Sequence, residues 1–283
     1  MEFTLASEEF LEEMEVTKTP ATYKFYVAQV IALNRFFEGF EVHEIQRKDI
    51  VRYISYERKR NPKKTNATIN KHILGLKLVY KHATGDKLEF SKLNETQKVI
   101  PIIEDEVIKS IFIHLGIRSR QYKEALRTYV LFRMLLDTGL RITEALALRL
   151  TDINFGTNTI HLKITKTKRE RYAFFTDKTK ELLLRMISEH KIVDHIFVNY
   201  KKNKPLVVNN VQLTCSRLRK TLNIQSSITP HRWRHTFATK FLQNGGDLET
   251  LRLLLGHTSL KTTQKYLHLD RSSLSNQYFK IFN

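Results

Sequence analysis

Apolar residues recur along this chain at steps of three and four, the period of a helix with one buried face. Over residues 22–38 the stripe passes through Tyr23, Val27, Val30, Ile31, Asn34 and Phe37. The same rhythm predicts a second helix over 47–60 through Ile50, Tyr53, Ile54 and Glu57. A third starts after Thr65 or Asn66, runs through Ile69, Ile73, Leu76 and Tyr80, and stops near Gly85. The period lapses between about Thr84 and Pro101, which marks an interdomain linker closed by proline. Beyond it helices are expected over 104–115, over 123–136 with Gly139 as the stop, over 177–190, over 210–222, and onward to the C-terminus. Residues 159–175 (TIHLKITKTKRERYAFF) instead place β-branched and aromatic runs around a polar centre, the pattern of a hairpin. The expected fold is mainly α with a small antiparallel β-sheet, in two domains, a helical one over 1–97 and a second over 98–283.

Charge narrows what such a fold does. The 283 residues hold 48 Lys+Arg against 29 Asp+Glu, a formal net charge of +19. Residues 1–95 carry 16 basic and 14 acidic side chains, so the remainder, with 32 against 15, holds most of the excess. Duplex DNA presents one charge per about 1.7 Å, and a basic surface gains by releasing its condensed counterions. Double-stranded nucleic acid is the expected partner. In the first domain ERKRNPKKTN, between the second and third helices, gathers Arg58, Lys59, Arg60, Lys63 and Lys64 around Pro62 as a phosphate-contacting loop. The single cysteine, Cys215, excludes an internal disulfide and four-cysteine zinc sites. No apolar run approaches the roughly 20 residues that span a bilayer, and the N-terminal MEFTLASEEFLEEME is acidic where a signal peptide is basic. A soluble, cytoplasmic protein is expected, with no membrane association.

Four local patterns carry chemistry. In DTGLRITEALALRL (137–150) Gly139 ends one helix, Thr143 is placed to cap the next, and Arg141 stands at the turn beside outward-pointing amides, an anion site. Taken alone, Arg141 fits an ion pair with Glu144 or Asp152 at the helix junction better than an anion site. In ITPHRWRHTFATKFLQNGG (228–246) Thr229 is the N-cap, Pro230 the first helical residue and Gly245 the stop. His231 and Arg234 then leave the first turn along one stripe, with His235 four residues from His231. Two histidines at that spacing are also a zinc pair, but no glutamate follows the first and no third ligand is evident; His235 also fits a buried, hydrogen-bonded residue. In DLETLRLLLGHTSLKTTQKYLHL (247–269) Asp247 caps an apolar helix, Gly256 stops it, His257 follows directly, and Tyr266 comes nine residues later. The hairpin tip crowds Lys166, Lys168, Arg169 and Arg171, a solvated turn or a basic edge for DNA.

Occurring together and in this order, TGLR, H-x-x-R-H-T and LGH with a tyrosine nine positions on resemble the tyrosine site-specific recombinases, the lambda-integrase or Xer-like family. The resemblance covers about 100–270; the N-terminal part is similar to the family's helical core-binding, SAM-like domain in size and pattern only. It implies Arg141 as the first catalytic arginine, His231 and Arg234 as the H-x-x-R pair, His257 as the second histidine and Tyr266 as nucleophile. Lys166 falls where the family keeps a hairpin lysine, but Thr165 and Thr167 flank it where glycines are usual, so Lys168 is a second choice. Glu144 corresponds to a supporting acidic group. The resemblance further implies a C-shaped two-domain clamp on duplex DNA, a DNA-bound homotetramer exchanging strands through a Holliday junction, and a C-terminal exchange segment, here about 272–283 with Leu274, Tyr278, Phe279, Ile281 and Phe282 apolar, docking on a neighbour or packing on its own domain.

The residue types suit the reaction on their own chemistry. A phenol with pKa about 10 must lose its proton to attack phosphorus, and His231 is suited to accept it. Arg141 and Arg234 fork onto non-bridging oxygens, His257 donates, and Lys166 protonates the leaving 5′-oxygen. Two permanent guanidinium charges stand in for the magnesium of many phosphoryl-transfer enzymes, and no GxxxxGK[ST] loop is present, so no metal or nucleotide cofactor is expected. Relaxation of supercoils by the same attack, as in type IB topoisomerases, and a non-catalytic DNA-binding role are the alternatives.

Overall fold

Four helices, α1 (Phe3–Thr17), α2 (Pro20–Phe37), α3 (Arg47–Arg60) and α4 (Asn66–Thr84), build the first of the two units into which the chain divides, Met1–Lys98 and Val99–Asn283. The computed structural model describes residues 1–95, 101–163, 170–202, 204–264 and 266. α1 was not anticipated by the periodicity. Its acidic composition hides a stripe of Phe3, Ala6, Phe10 and Met14, all buried against the other helices. α3 buries the predicted Ile50, Tyr53, Ile54 and Glu57, and α4 the predicted Ile69, Ile73 and Leu76. α2 departs from expectation: Val30, Leu33 and Phe37 face the core, while Ile31 is exposed, because α1 and α4 pack on the former side. Gly85 ends α4 in the left-handed conformation.

The second unit opens with α5 (Asp105–Arg118) and α6 (Lys123–Thr138), followed by the short α7 (Ile142–Ala147). Three strands, β1 (Ile153–Asn154), β2 (Thr159–Leu162) and β3 (Arg171–Phe174), form an antiparallel sheet in that order, with Leu162 opposite Arg171. After α8 (Asp177–His190) come the two-residue pair β4 (Val198–Asn199) and β5 (Lys204–Pro205). Then follow α9 (Val208–Thr221), α10 (Pro230–Gln243), α11 (Leu248–Leu255) and α12 (Leu260–Gln264). The unit is mainly helical with a small antiparallel sheet.

Its core seats α10 on α6. Trp233 is fully buried and stacks on Phe132 with ring centroids 4.9 Å apart, and the hydroxyl of Thr236 accepts the amide of Ile103 at 2.9 Å. Burying such a ring pair fixes the rotation of α10, and hence where its polar neighbours emerge. Gly139 turns the chain out of α6 with φ +61°; a Cβ there would lie 2.3 Å from the Phe237 ring, so the α6 end and α10 approach as only glycine permits. Among the described residues no helix is long and apolar enough to cross a membrane.

Candidate active site

The turn after α6 delivers the first cationic group. Arg141 occupies the N-cap of α7, and its amide donates to Glu144 Oε2 at 2.7 Å while its Nη1 donates to Glu144 Oε1 at 2.8 Å. Thr143 is therefore not the cap; it lies inside the first turn, because the Glu144 carboxylate reaches back to the preceding amide. A second guanidinium, from Arg171 on β3, donates to Glu144 Oε2 at 2.6 Å. Burial pushes the Glu144 carboxyl up, but Arg171 and Arg141 outweigh it and hold the group below the usual carboxylate range.

α10 delivers the third. Arg234, one residue beyond the seated Trp233, is buried and donates from Nη1 to the Gly139 carbonyl and from Nη2 to the Leu255 carbonyl, both at 2.7 Å. The end of α11 organises all three arginines. Its consecutive carbonyls of Leu254, Leu255 and Gly256 accept from Arg171 Nη1, Arg234 Nη2 and Arg141 Nη2 respectively. Unpaired carbonyls at a helix C-terminus carry partial negative charge, which favours cations there. Burial pushes the Arg234 guanidinium down to about 10, so it stays charged near neutral pH.

Gly256 ends α11 with φ +62°, and His257 follows it. A guanidinium has no acceptor, so His257 Nε2 accepts from Arg234 Nη2 at 3.1 Å. The remaining ring proton then sits on Nδ1, which donates to Thr263 Oγ1 at 2.9 Å. Thr263 belongs to α12, and its carbonyl accepts the amide of Tyr266 at 3.0 Å. Tyr266 is buried among Ala238, Leu242, Leu251 and Leu255, with its ring 5.4 Å from that of His235. Burial pushes the phenol up to about 12, against the opposing pull of the Arg234 and Arg141 charges.

Four predicted residues, Arg141, Arg234, His257 and Tyr266, thus gather in one place. His231 lies one turn ahead of Arg234 on the exposed start of α10, outside the hydrogen-bonded cluster of described residues. Lys166, Lys168, Arg169 and the 272–283 segment lie outside the described residues. Arg171 corrects the reading of a DNA-contacting tip residue: it is buried on β3, held between Glu144 and the end of α11. Thr263 was missed; a hydroxyl one helical turn before Tyr266 was the available signal. Among the described residues no group of three His, Cys, Asp or Glu side chains could hold a metal ion.

In the first unit Arg58, Lys59 and Arg60 at the end of α3, and Lys63 after it, are exposed. Lys64 is not a free phosphate contact. Its ammonium is ion-paired with Glu57, whose carboxylate is fully buried, with Arg60 3.9 Å away. A buried carboxylate needs such a partner, and that need claims Lys64.

Residues 103–273 match the phage integrase family. Tyrosine recombinase XerC of Pediococcus pentosaceus is 29% identical over 280 residues, covering 92% of this chain and 91% of that protein. Tyrosine recombinase XerA of Saccharolobus solfataricus is 41% identical over 154 residues, 54% of this chain and half, 50%, of the relative. Among solved structures, the Tn1549 transposon integrase in complex with transposon right end DNA superposes with a TM-score of 0.82 at 17% identity, covering 100% of both chains. A XerA recombinase crystal structure aligns with a TM-score of 0.55 at 25% identity over 97% of each chain.

Proposed function

The chain belongs to the phage integrase family and is a tyrosine recombinase, and from that premise we propose that it cuts and rejoins duplex DNA at a specific site through a 3′-phosphotyrosine intermediate. One observation carries the reading: Arg141, Arg234 and His257 converge at the end of α11, with Tyr266 packed beside them. A phosphate held there meets two guanidinium groups, which stabilise the charge that grows on its non-bridging oxygens as Tyr266 attacks phosphorus, while His257 braces Arg234 through Nε2. The phenol's proton passes to His231, and Lys166 protonates the departing 5′-oxygen, with Lys168 the alternative donor. The phosphodiester's free energy stays in the tyrosyl bond, so a 5′-hydroxyl from a second strand reseals it and restores the phenol. Nothing in that cycle draws on ATP or a metal.

Exchange between two sites needs four such centres, which supports a DNA-bound homotetramer passing through a Holliday junction, with the 272–283 segment joining neighbours. The N-terminal domain, 1–97, serves as the core-binding domain, its Arg58, Lys59, Arg60 and Lys63 on the DNA backbone. The protein works in the cytoplasm. Integration and excision, dimer resolution and cointegrate resolution all use this chemistry. The test is a plasmid carrying two copies of the site found by sequencing DNA ends captured on the protein: recombinant circles support the proposal, whereas relaxed topoisomers without recombinants indicate a topoisomerase.

A further inference from the structure

We infer that Arg171 is a positioning residue for strand cleavage, holding Arg141 through Glu144 and holding the turn that carries His257, and that it touches no DNA. The inference rests on the reading that Arg141 faces the scissile phosphate. Four features of the structure point to it. Arg171 is only 9% exposed, on a strand whose neighbours Tyr172 and Phe174 face outward. Its Nη2 meets the same Glu144 oxygen that accepts the Arg141 amide, so one carboxylate is stretched between a strand residue and the cap of α7. Its Nη1 donates to Leu254, the first of the three carbonyls that α11 presents to arginines. Finally, its side chain passes over Gly256, where a Cβ would stand 2.7 Å from Nε and 2.8 Å from Cδ. The residue next along the chain is His257. Removing Arg171 therefore frees both the carboxylate that aims Arg141 and the turn that aims His257.

A guanidinium that neutralises a phosphate oxygen is dispensable when that oxygen carries no charge. Arg171→Met, Arg171→Lys and Arg141→Met are each compared with wild type for affinity, its salt dependence, and single-turnover cleavage of a suicide duplex. The scissile linkage is either a phosphodiester or a methylphosphonate, in which a neutral methyl replaces one non-bridging oxygen. For Arg171→Met the expected affinity and salt slope equal wild type, and phosphodiester cleavage falls by about 100-fold, the usual effect of misplacing a catalytic group by an ångström. On the methylphosphonate the deficit relative to wild type shrinks by roughly 10-fold or more, following Arg141→Met, as expected when a preorganised donor is the missing element. Arg171→Lys keeps a buried positive charge but cannot reach Glu144 and Leu254 together; it should show a smaller deficit with the same relief, and it carries the test if Arg171→Met does not fold. A salt slope reduced by about one unit would make Arg171 a phosphate contact and overturn the inference. A deficit equal on both linkages, while that of Arg141→Met shrinks, would reduce Arg171 to a structural residue. No relief for Arg141→Met would instead overturn the underlying reading of Arg141, and the inference with it.

Discussion

His257 donates from Nδ1 to the Thr263 hydroxyl at 2.9 Å, and this contact ties the short helix that leads to Tyr266 to the arginine cluster. Because Arg234 already donates to Nε2, the imidazole is held at both nitrogens in one tautomer. The helix before Tyr266 and the arginine cluster are thereby linked through one ring.

Thr263→Val keeps the shape of a fully buried side chain and deletes that link. Stability should fall by about 1 kcal/mol, the net worth of one buried hydrogen bond. Single-turnover cleavage should fall by roughly 10-fold, since about 1.4 kcal/mol of lost transition-state positioning is a tenfold rate effect. Thermal melts and cleavage of a suicide duplex measure the two. An unchanged cleavage rate in a variant of lowered stability would separate Thr263 from the reaction.

The buried phenol makes a prediction about alkaline stability. Tyr266 is raised from about 10 in the unfolded chain to about 12 in the folded protein, so the unfolded state loses this proton first. The associated stability is complete below pH 10 and disappears as pH rises through 12. Tyr266→Phe has no such proton. Comparing melting temperatures of the two proteins from pH 8 to 12 should show wild type losing on the order of 2 kcal/mol more than the variant across that window. Parallel curves would mean that the phenol is not buried in solution.

Lys63 and Lys64 are adjacent in sequence yet should behave oppositely. Lys63→Gln should leave stability within about 0.5 kcal/mol and lower the salt slope of DNA binding by about one. Lys64→Gln should cost roughly 3 kcal/mol by taking the ammonium from the buried Glu57 carboxylate and leaving it only the more distant Arg60. Chemical denaturation and binding titrations at several salt concentrations distinguish them, and a stability loss for Lys63→Gln equal to that for Lys64→Gln would contradict the assignment.

These pairs also show how far the sequence could be read. α3, α4, α6 and α10 were legible because each combines a three-and-four stripe with a recognisable stop or start, such as Gly85, Gly139 or Pro230. α1 was not, because its apolar positions are diluted by five acids. Arg141, Arg234, His257 and Tyr266 stand in motifs whose local geometry is set within a few residues. Arg171 and Lys64 carried a charge visible in the sequence, but Glu144 meets Arg171 only when α7 and β3 pack, and Glu57 meets Lys64 only when the loop after α3 folds back on the helix. Thr263 was invisible for a related reason: its hydroxyl acquires meaning from the ring of His257, which a glycine turn swings back toward α12.

The most direct measurement is to incubate the protein with nicked suicide duplexes carrying its site, digest the trapped complex, and identify the modified residue by mass spectrometry. The account predicts a 3′-phosphate ester on Tyr266, retained DNA binding, and loss of the adduct in Tyr266→Phe. An adduct that persists in Tyr266→Phe, or that maps to Tyr278, would contradict it.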